Sequence, residues 1–187
     1  MIYIDDHIDD FNLQEALAAV SPQRREQALR YRHERDQRLS VAAYRLLQKA
    51  LRDLGIEEPP LFSYDSSGKP QLQGHPEIHF SMSHCREAVA CAVGENPIGI
   101  DIETLEHYSE DVAARVMNAD EIRLIQASPH PAAAFTRLWT MKESLYKLTG
   151  DDRDGDIAHM LDDNSGFHFT VINHGNYICT VCEIEQT

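Results

Sequence analysis

The sequence predicts an α+β fold made of two halves of about 95 residues, each with helices and a small, mainly antiparallel sheet. The first observation is length, because 187 residues suffice for one ordinary core or for two small ones. The second is order, because helical patterns are followed by short β-like runs and this succession occurs twice. We therefore place an N-terminal half at residues 1–97 and a C-terminal half at residues 98–187, although no internal sequence repeat is visible.

The first half opens with the short predicted strand "MIYI", and Ser21 followed by Pro22 predicts the N-terminus of a helix. A further helix is predicted from about residue 35 to 54, because apolar residues recur there at helical spacing before Gly55. The apolar stripe that we assign to the core comprises Leu39, Ala43, Leu46, Leu47, Ala50, Leu51 and Leu54.

Between residues 61 and 103 the pattern changes to short β-like runs. The runs are "LFSY", "EIHFSMSH", "EAVACAVG" and "PIGIDIE", and they are separated by "DSSGKP", "CR" and "ENP". Such short, turn-forming separators predict hairpins and therefore an antiparallel sheet.

Helical patterns return in the second half, where Asn118 and Glu121 resemble a capping box. A long helix is predicted from about Pro131 to Leu148, ahead of Gly150. Two strands, "FHFTVI" and "YICTVCEI", close the chain.

Composition excludes several classes of function. The formal net charge of -14 argues against a general nucleic-acid or anionic-membrane binder, since both need a broad positive surface. No apolar run approaches the ~20 residues of a membrane span, and residues 1–10 carry acids where a signal peptide would be basic. We therefore expect a cytoplasmic protein.

One stretch departs from this acidic average. Residues 24–52 hold nine of the seventeen basic residues against three acids, a local charge of +6 in a chain whose remainder carries -20. Two interpretations stay open: a docking surface for something anionic, or the solvated face of a helix.

The four cysteines invite a metal or redox interpretation, because Cys179 and Cys182 form a C-x-x-C motif. The motif lies in a predicted strand, however, where residues three apart point to opposite faces. No second C-x-x-C completes a zinc site. We predict ordinary buried thiols, with Cys85 and Cys91 in the same class.

Two groups of residues are candidates for chemistry. In "IGIDIE", residues 98–103, strand alternation places Asp101 and Glu103 on one face, and paired carboxylates suit a hard cation such as Mg²⁺. On the long helix, Trp139, Glu143 and Lys147 follow i, i+4, i+8 along one line. The alternatives are a solvated strand face for the first group, and a core tryptophan beside a surface ion pair for the second.

Together, four motifs resemble those of 4′-phosphopantetheinyl transferases of the surfactin-synthetase type, in the same order and at similar spacing. These motifs are "GKP" at 68–70, "FSMSH" at 80–84, "GIDIE" at 99–103 and "WTMKESLYK" at 139–147. The resemblance covers roughly residues 1–150. It implies a pseudo-dimer of two similar α+β halves that is monomeric, with coenzyme A bound in the cleft between the halves.

The resemblance also implies a reaction, that of a holo-[acyl-carrier-protein] synthase in fatty acid or secondary metabolite biosynthesis. Such enzymes transfer phosphopantetheine from coenzyme A to a serine of an apo acyl or peptidyl carrier protein and release 3′,5′-ADP.

Matching positions imply roles for individual residues. Asp101, Glu103 and Glu143 would bind Mg²⁺, and Glu143 is also a candidate base for the serine hydroxyl. Lys147 would assist at the transferred phosphate, so that Asp101, Glu143 and Lys147 form the expected catalytic set. The residues expected to contact coenzyme A are Arg38, Lys69, Ser83, His84 and Lys147.

Alternatives remain at this stage. A Mg²⁺-dependent phosphohydrolase would use the same three carboxylates with water as nucleophile, and a non-catalytic coenzyme A or carrier-binding module would need no metal. A Ser83–His84 nucleophile pair is disfavoured, because adjacent strand residues point to opposite faces. The other nine histidines, including His107 and His159, show no ligand spacing and are interpreted as structural or surface residues.

The chain departs from the family pattern after Gly150, where an acid-rich stretch, "DDRDGDIAHMLDD", replaces a more neutral loop. Acyl carrier proteins are themselves acidic, so a chain of charge -14 attracts them poorly at long range. We expect carrier docking to differ accordingly.

Overall fold

The computed structural model describes residues 1–65, 68–150 and 155–185. The chain divides into two compact units, Met1–Asn96 and Pro97–Thr187, here called the N-terminal unit and the C-terminal unit. The described residues contain six α-helices and small antiparallel sheets, which confirms the predicted α+β class. Within this part of the chain, no helix is long and apolar enough to cross a membrane.

The N-terminal unit holds three helices, a three-stranded sheet and a two-stranded hairpin. In chain order its elements are β1 (Ile2–Asp5), α1 (Leu13–Ala19), α2 (Pro22–Leu29), α3 (Glu34–Asp53), β2 (Phe62–Tyr64), β3 (Pro70–Leu72), β4 (His79–His84) and β5 (Val89–Gly94). The larger sheet has the antiparallel order β1-β5-β4, and β2 pairs with β3. The 20-residue helix α3 packs on this sheet around one hydrophobic core.

Most predictions for this unit are confirmed. Ser21 caps α2 by accepting a hydrogen bond from the backbone N–H of Arg24, and Gly55 adopts a left-handed φ of 84° just after α3. The assignment of Leu54 to the core stripe is wrong, because its side chain is 45% exposed. Leu54 is the C-cap of α3, so the helical period no longer directs its side chain to the core.

The C-terminal unit holds a second three-stranded sheet with three helices. Its elements are β6 (Ile98–Thr104), α4 (Glu110–Val116), α5 (Ala119–Ala127), α6 (Pro131–Thr149), β7 (Phe167–Asn173) and β8 (Tyr177–Ile184), with 3₁₀ turns at Leu105–His107 and Ile157–His159. The sheet order is β6-β8-β7, again antiparallel. The capping box of Asn118 and Glu121 is present, and α6 ends at Gly150 in the left-handed conformation.

The described elements of the two units follow the same topology. In each, the first strand is followed by three helices, of which the third is the longest. A later hairpin then supplies the central strand, which pairs antiparallel with the first strand of its unit. This common order of elements exists without a visible repeat in sequence.

The four cysteines are buried, as predicted, and none of them forms a disulfide within the described residues. Burial raises the pKa of the Cys91 and Cys182 thiols to about 12. Thiols so protonated at neutral pH are poor metal ligands and poor nucleophiles. The first four residues of the acid-rich stretch, 151–154, lie outside the described residues.

Candidate active site

The candidate site is formed where α6 packs directly on β6 in the C-terminal unit. Gly99, Asp101 and Glu103 alternate along β6 and share one face of the strand. A Cβ atom added at Gly99 would overlap the carbonyl oxygen of Ser144 and lie 2.8 Å from the backbone nitrogen of Leu148. Only glycine therefore allows α6 to come this close to the strand, at a position two residues before Asp101.

A buried pair of threonines connects α6 to the sheet beside Asp101. Asp101 is paired in register with Thr180 of β8, and the Thr180 and Thr140 hydroxyl oxygens are 2.7 Å apart. The Thr140 hydroxyl donates to the carbonyl oxygen of Arg137 at 3.1 Å, which leaves Thr180 as the donor to Thr140. This chain of hydrogen bonds fixes α6 one turn before Glu143.

Lys147 and Asp101 are in direct contact. The Lys147 Nζ atom donates to the Asp101 Oδ1 atom at 2.6 Å, and the two side chains are 27% and 8% exposed. The strand and the helix thus bring together two residues that are 46 positions apart in sequence. Such a partly buried, charge-assisted hydrogen bond is stronger than a surface ion pair.

Glu143 lies in the electrostatic field of the same cluster. Its pKa is raised above the ordinary value of 4.5, first by burial and then by the neighbouring Asp101 carboxylate. Lys147 opposes this shift, and Glu103 adds to it. The site is therefore a set of three carboxylates with one ammonium among them.

Glu103 is held by residues that follow it in the chain. Its Oε1 atom accepts hydrogen bonds from the backbone N–H of Thr104 at 2.7 Å and from the Thr104 hydroxyl at 3.3 Å. Its Oε2 atom lies 2.8 Å from His107 Nδ1. From sequence, His107 is interpreted as a structural or surface residue. The signal that points to its contact with Glu103 is its i, i+4 position after Glu103, across a tight turn.

The carboxylate oxygens of Asp101, Glu103 and Glu143 are the type of ligand that a hard cation such as Mg²⁺ prefers. Three carboxylates lie close enough for Asp101 and Glu103 both to raise the pKa of Glu143, and a divalent cation would relieve that repulsion. In the side-chain positions of this structure, no group of three or more acid, histidine or cysteine side chains in residues 1–65, 68–150 and 155–185 is arranged to hold a metal ion.

A fully buried lysine precedes Glu143, and sequence reasoning missed it. Lys142 Nζ lies 2.7 Å from Glu121 Oε2 and also donates to the carbonyl oxygens of Val116, Ile157 and Ala158 at 2.7–3.0 Å. Burial lowers the pKa of Lys142, and the hydrogen bond that its ammonium donates to Glu121 opposes that shift. The contact ties α6 to α4, α5 and the second 3₁₀ turn.

Four predicted substrate contacts belong to the N-terminal unit and are described there by themselves. Ser83 is buried and His84 is exposed at the end of β4, consistent with alternation along a strand. Lys69 follows Gly68 in the turn before β3, where its backbone N–H donates to Asp65. Burial lowers the pKa of the Lys69 ammonium, and Asp65 opposes the shift.

Arg38, the fourth of these residues, already has partners within its own unit. Its Nε and Nη2 atoms lie 3.0 and 2.9 Å from Glu34 Oε1, and its Nη1 atom donates to the carbonyl oxygen of Phe11 at 2.8 Å. Arg38 thus anchors α3 to the segment before α1. Other arginines of the basic stretch make similar ion pairs, for example Arg30 with Glu26.

A second arginine, Arg24, is a stronger candidate for an anion contact, and the sequence analysis did not single it out. Its guanidinium lies over the rings of Tyr44 and Phe62, with centroid distances of 5.3 and 5.6 Å, and Nη1 reaches Ser40 Oγ at 3.4 Å. Its Nε atom is buried and has no hydrogen-bond partner among the described residues. A buried N–H of this kind calls for an acceptor.

Comparison with known proteins bears directly on the geometry of the C-terminal unit. The family model of the 4′-phosphopantetheinyl transferase superfamily matches residues 97–186. A 4′-phosphopantetheinyl transferase of Bacillus subtilis is 32% identical over 154 residues, covering 80% of this chain and 68% of the relative. The chain belongs to the 4′-phosphopantetheinyl transferase superfamily. This membership confirms the family and the transferase class predicted from the motifs.

Two further relatives show how the similarity is distributed. The 4′-phosphopantetheinyl transferase psf-1 of Bacillus pumilus is 32% identical over 151 residues, covering 76% of this chain and 65% of the relative. Enterobactin synthase component D of Salmonella typhimurium is 32% identical over 106 residues, covering 54% of this chain and 43% of the relative. This 4′-phosphopantetheinyl transferase is thus similar over a longer stretch to the Bacillus proteins.

Proposed function

We propose that this protein transfers the 4′-phosphopantetheine group of coenzyme A to a serine of an apo acyl or peptidyl carrier protein and releases 3′,5′-ADP. One observation supports the proposal most strongly. The C-terminal unit, which the family model matches, brings Asp101, Glu143 and Lys147 together on one face of β6. This arrangement suits phosphoryl-group transfer, which depends on placing charge around non-bridging oxygens.

In the proposed reaction, the serine hydroxyl oxygen attacks the phosphorus atom attached to pantetheine. A new serine O–P bond forms, the pyrophosphate P–O bond breaks, and 3′,5′-ADP leaves with the electron pair of that bond. Glu143 is proposed to take the hydroxyl proton, because burial and its carboxylate neighbours raise its pKa and so make it a better base. Lys147 is proposed to stabilise charge on the phosphate oxygens as a point cation.

We propose that Mg²⁺ is held by Asp101, Glu103 and Glu143. When bound, the cation would neutralise charge that develops on the phosphate oxygens. Lys147, at 2.6 Å from Asp101, supplies the nearest positive charge to these carboxylates. Asp101 would then bind the cation through lone pairs that Lys147 does not occupy, or the Lys147 side chain would move away from it.

For coenzyme A, we propose contacts with Lys69, Ser83, His84 and Lys147, and a contact of the 3′-phosphate with an arginine of the basic stretch. Arg38 is the residue predicted from the sequence, and Arg24 is the one whose Nε lacks a partner among the described residues. A guanidinium with an unpaired, buried donor gains most from a phosphate oxygen.

We further propose that the fold is a pseudo-dimer in which the two units are structural repeats. The support is the common topology of a first strand, three helices and a hairpin that supplies the central strand. A pseudo-dimer of this kind would act as a monomer. The names of the relatives, including enterobactin synthase component D, suggest carrier proteins of secondary metabolite biosynthesis as partners.

Product analysis of coenzyme A tests the proposal. The enzyme is incubated with coenzyme A and Mg²⁺, with and without an apo carrier protein, and 3′,5′-ADP is quantified by chromatography. We expect 3′,5′-ADP only when the apo carrier is present, and none after addition of EDTA. Release of 3′,5′-ADP without a carrier would instead indicate a phosphohydrolase, and activity in EDTA would contradict the metal site.

A further inference from the structure

Both oxygens of the Glu103 carboxylate contact residues that follow it in the chain. Thr104 provides a backbone N–H at 2.7 Å and a hydroxyl at 3.3 Å to Oε1, and His107 Nδ1 lies 2.8 Å from Oε2. The Glu103 side chain is 15% exposed, whereas His107 is 70% exposed. His107 is thus a surface side chain whose ring nitrogen reaches an almost buried carboxylate.

The turn after β6 places His107 beside Glu103. Leu105–His107 forms a 3₁₀ turn, and its first N–H donates to the carbonyl oxygen of Asn176 at 3.1 Å. The turn is closed by a hydrogen bond from the N–H of Tyr108 to the carbonyl oxygen of Leu105. These backbone contacts bring residue 107 back to residue 103 independently of the imidazole.

Contacts of this kind orient a carboxylate without using all of its acceptor sites. A carboxylate offers about four acceptor sites on its two oxygens, so lone pairs remain for a cation. The Thr104 N–H cannot be removed by changing a side chain, whereas the His107 contact can. Partners that hydrogen-bond a ligating carboxylate typically contribute about 10–100-fold to metal affinity.

We propose that His107 is a positioning residue that restrains the Glu103 carboxylate for binding of a divalent cation shared with Asp101 and Glu143. This inference rests on the proposed function, because it assumes that the three carboxylates are the cation ligands. His107 itself touches neither coenzyme A nor the carrier serine in this account. Its action is exerted through Oε2 of Glu103 alone.

Mn²⁺ binding tests the proposal without relying on turnover. The metal-free protein is titrated with Mn²⁺, and free Mn²⁺ is measured by electron paramagnetic resonance. We expect His107→Ala to raise the Kd for Mn²⁺ about tenfold, and His107→Gln, whose amide can donate to Glu103, to recover most of the affinity. At saturating Mg²⁺ the kcat of His107→Ala should approach the wild-type value, while its KM for Mg²⁺ rises.

The chain offers a matched control in His159. It lies in the same unit, its Nδ1 atom is 2.6 Å from Asp162 Oδ2, and its side chain is 55% exposed. His159→Ala therefore removes an exposed histidine–carboxylate contact away from the three carboxylates, and its Kd for Mn²⁺ should equal that of wild type. Thermal unfolding of the metal-free variants checks that each is folded.

Several outcomes would overturn the proposal. A Kd of His107→Ala within twofold of wild type, or an equal loss in His159→Ala, would exclude positioning by His107. If Asp101→Asn and Glu143→Gln lose Mn²⁺ binding but Glu103→Gln does not, the metal site stands and the inference about His107 fails. If wild type binds no Mn²⁺, the metal part of the proposed function and this inference fail together.

Discussion

The two units share an order of strands and helices, yet among the described residues the cluster of Asp101, Glu103 and Glu143 lies in the C-terminal unit. In the N-terminal unit, α3 packs mainly on the central strand β5 and presents apolar side chains such as Leu47 and Leu51 to the core. In the C-terminal unit, α6 packs mainly on the first strand β6, where Gly99 admits the helix backbone. The close approach that Gly99 permits brings Lys147 of α6 into contact with Asp101 of β6.

The units also differ in charge. Six basic and sixteen acidic residues give the C-terminal unit a formal charge of -10, whereas eleven basic and fifteen acidic residues give the N-terminal unit -4. Nine of the eleven basic residues lie in residues 24–52. The acidic unit is suited to hold a cation, and the basic stretch is suited to hold a phosphate of the substrate.

The largest expected effect comes from removing a carboxylate charge at the cluster. Asp101→Asn should lower kcat for carrier modification by about 10²–10³-fold, because it removes charge that is arranged around the reacting phosphates. Asp53→Asn is the control in the other unit: Asp53 ends α3 and accepts a hydrogen bond from the Tyr3 hydroxyl at 2.9 Å. Its rate should stay within twofold of wild type, and a comparable loss there would break the proposed distinction between the units.

Gly99→Ala tests the packing that sets the distinction. The added methyl group overlaps the Ser144 carbonyl oxygen and approaches Leu148, so α6 must move and the free energy of unfolding should fall by about 3 kcal/mol. Gly94→Ala is the matched control in β5, since its Cβ would meet no atom closer than 3.8 Å. Urea unfolding measures both variants. Equal stability of the two variants would contradict the close approach of α6 to β6.

A smaller effect is expected on substrate binding in the N-terminal unit. Arg24→Ala should raise the KM for coenzyme A about tenfold with little change in kcat, because it removes one charge-assisted contact to a non-reacting phosphate. Arg38→Ala should have a smaller effect, since Glu34 and Phe11 already engage its guanidinium.

Dephospho-coenzyme A, which lacks only the 3′-phosphate, is the control for this measurement. Wild type should prefer coenzyme A, and the arginine variant that loses this preference identifies the phosphate contact. If both variants keep the preference, the site lies elsewhere, with Lys69 and His84 as the next candidates.

The smallest effect concerns stability as a function of pH. The folded state raises the pKa of Glu143 above 4.5, so the folded protein keeps this proton to higher pH than the unfolded chain does. Ionising Glu143 therefore lowers the free energy of unfolding as pH rises from 4.5 through the raised pKa. Glu143→Gln lacks this loss, so the metal-free variant should gain stability over wild type as pH rises, with no gain at about pH 4. Greater stability of wild type at about pH 8 would contradict the assigned sign.

Local patterns in the sequence predicted much of this molecule. The alternation in β6 and the helical period in α6 placed Asp101, Glu143 and Lys147 on the faces where they lie. The helix caps Ser21 of α2 and Gly150 of α6 could be predicted because each one hydrogen-bonds backbone groups only a few residues away.

The remaining features depend on contacts between distant segments, which local patterns do not encode. The sequence pattern indicates an ordinary polar helix residue at Lys142. In the structure Lys142 is fully buried against Glu121 and against carbonyl oxygens of α4 and the second 3₁₀ turn. From sequence alone, Gly99 is a residue that weakens a strand. Its role becomes clear only from the packing of α6 on β6, which leaves no space for a Cβ atom at this position. The short strand β3 was missed because its three residues follow a turn motif directly.

Intact-mass spectrometry of the carrier protein tests the central claim most directly. Wild-type enzyme, coenzyme A and Mg²⁺ are incubated with apo carriers from fatty-acid, polyketide and peptide synthesis, and with the same carriers in which the acceptor serine is replaced by alanine. We predict a mass increase of one phosphopantetheine group on at least one apo carrier and none on its alanine variant. An unchanged mass for every carrier, with an enzyme shown to be folded, would contradict the proposed transferase function.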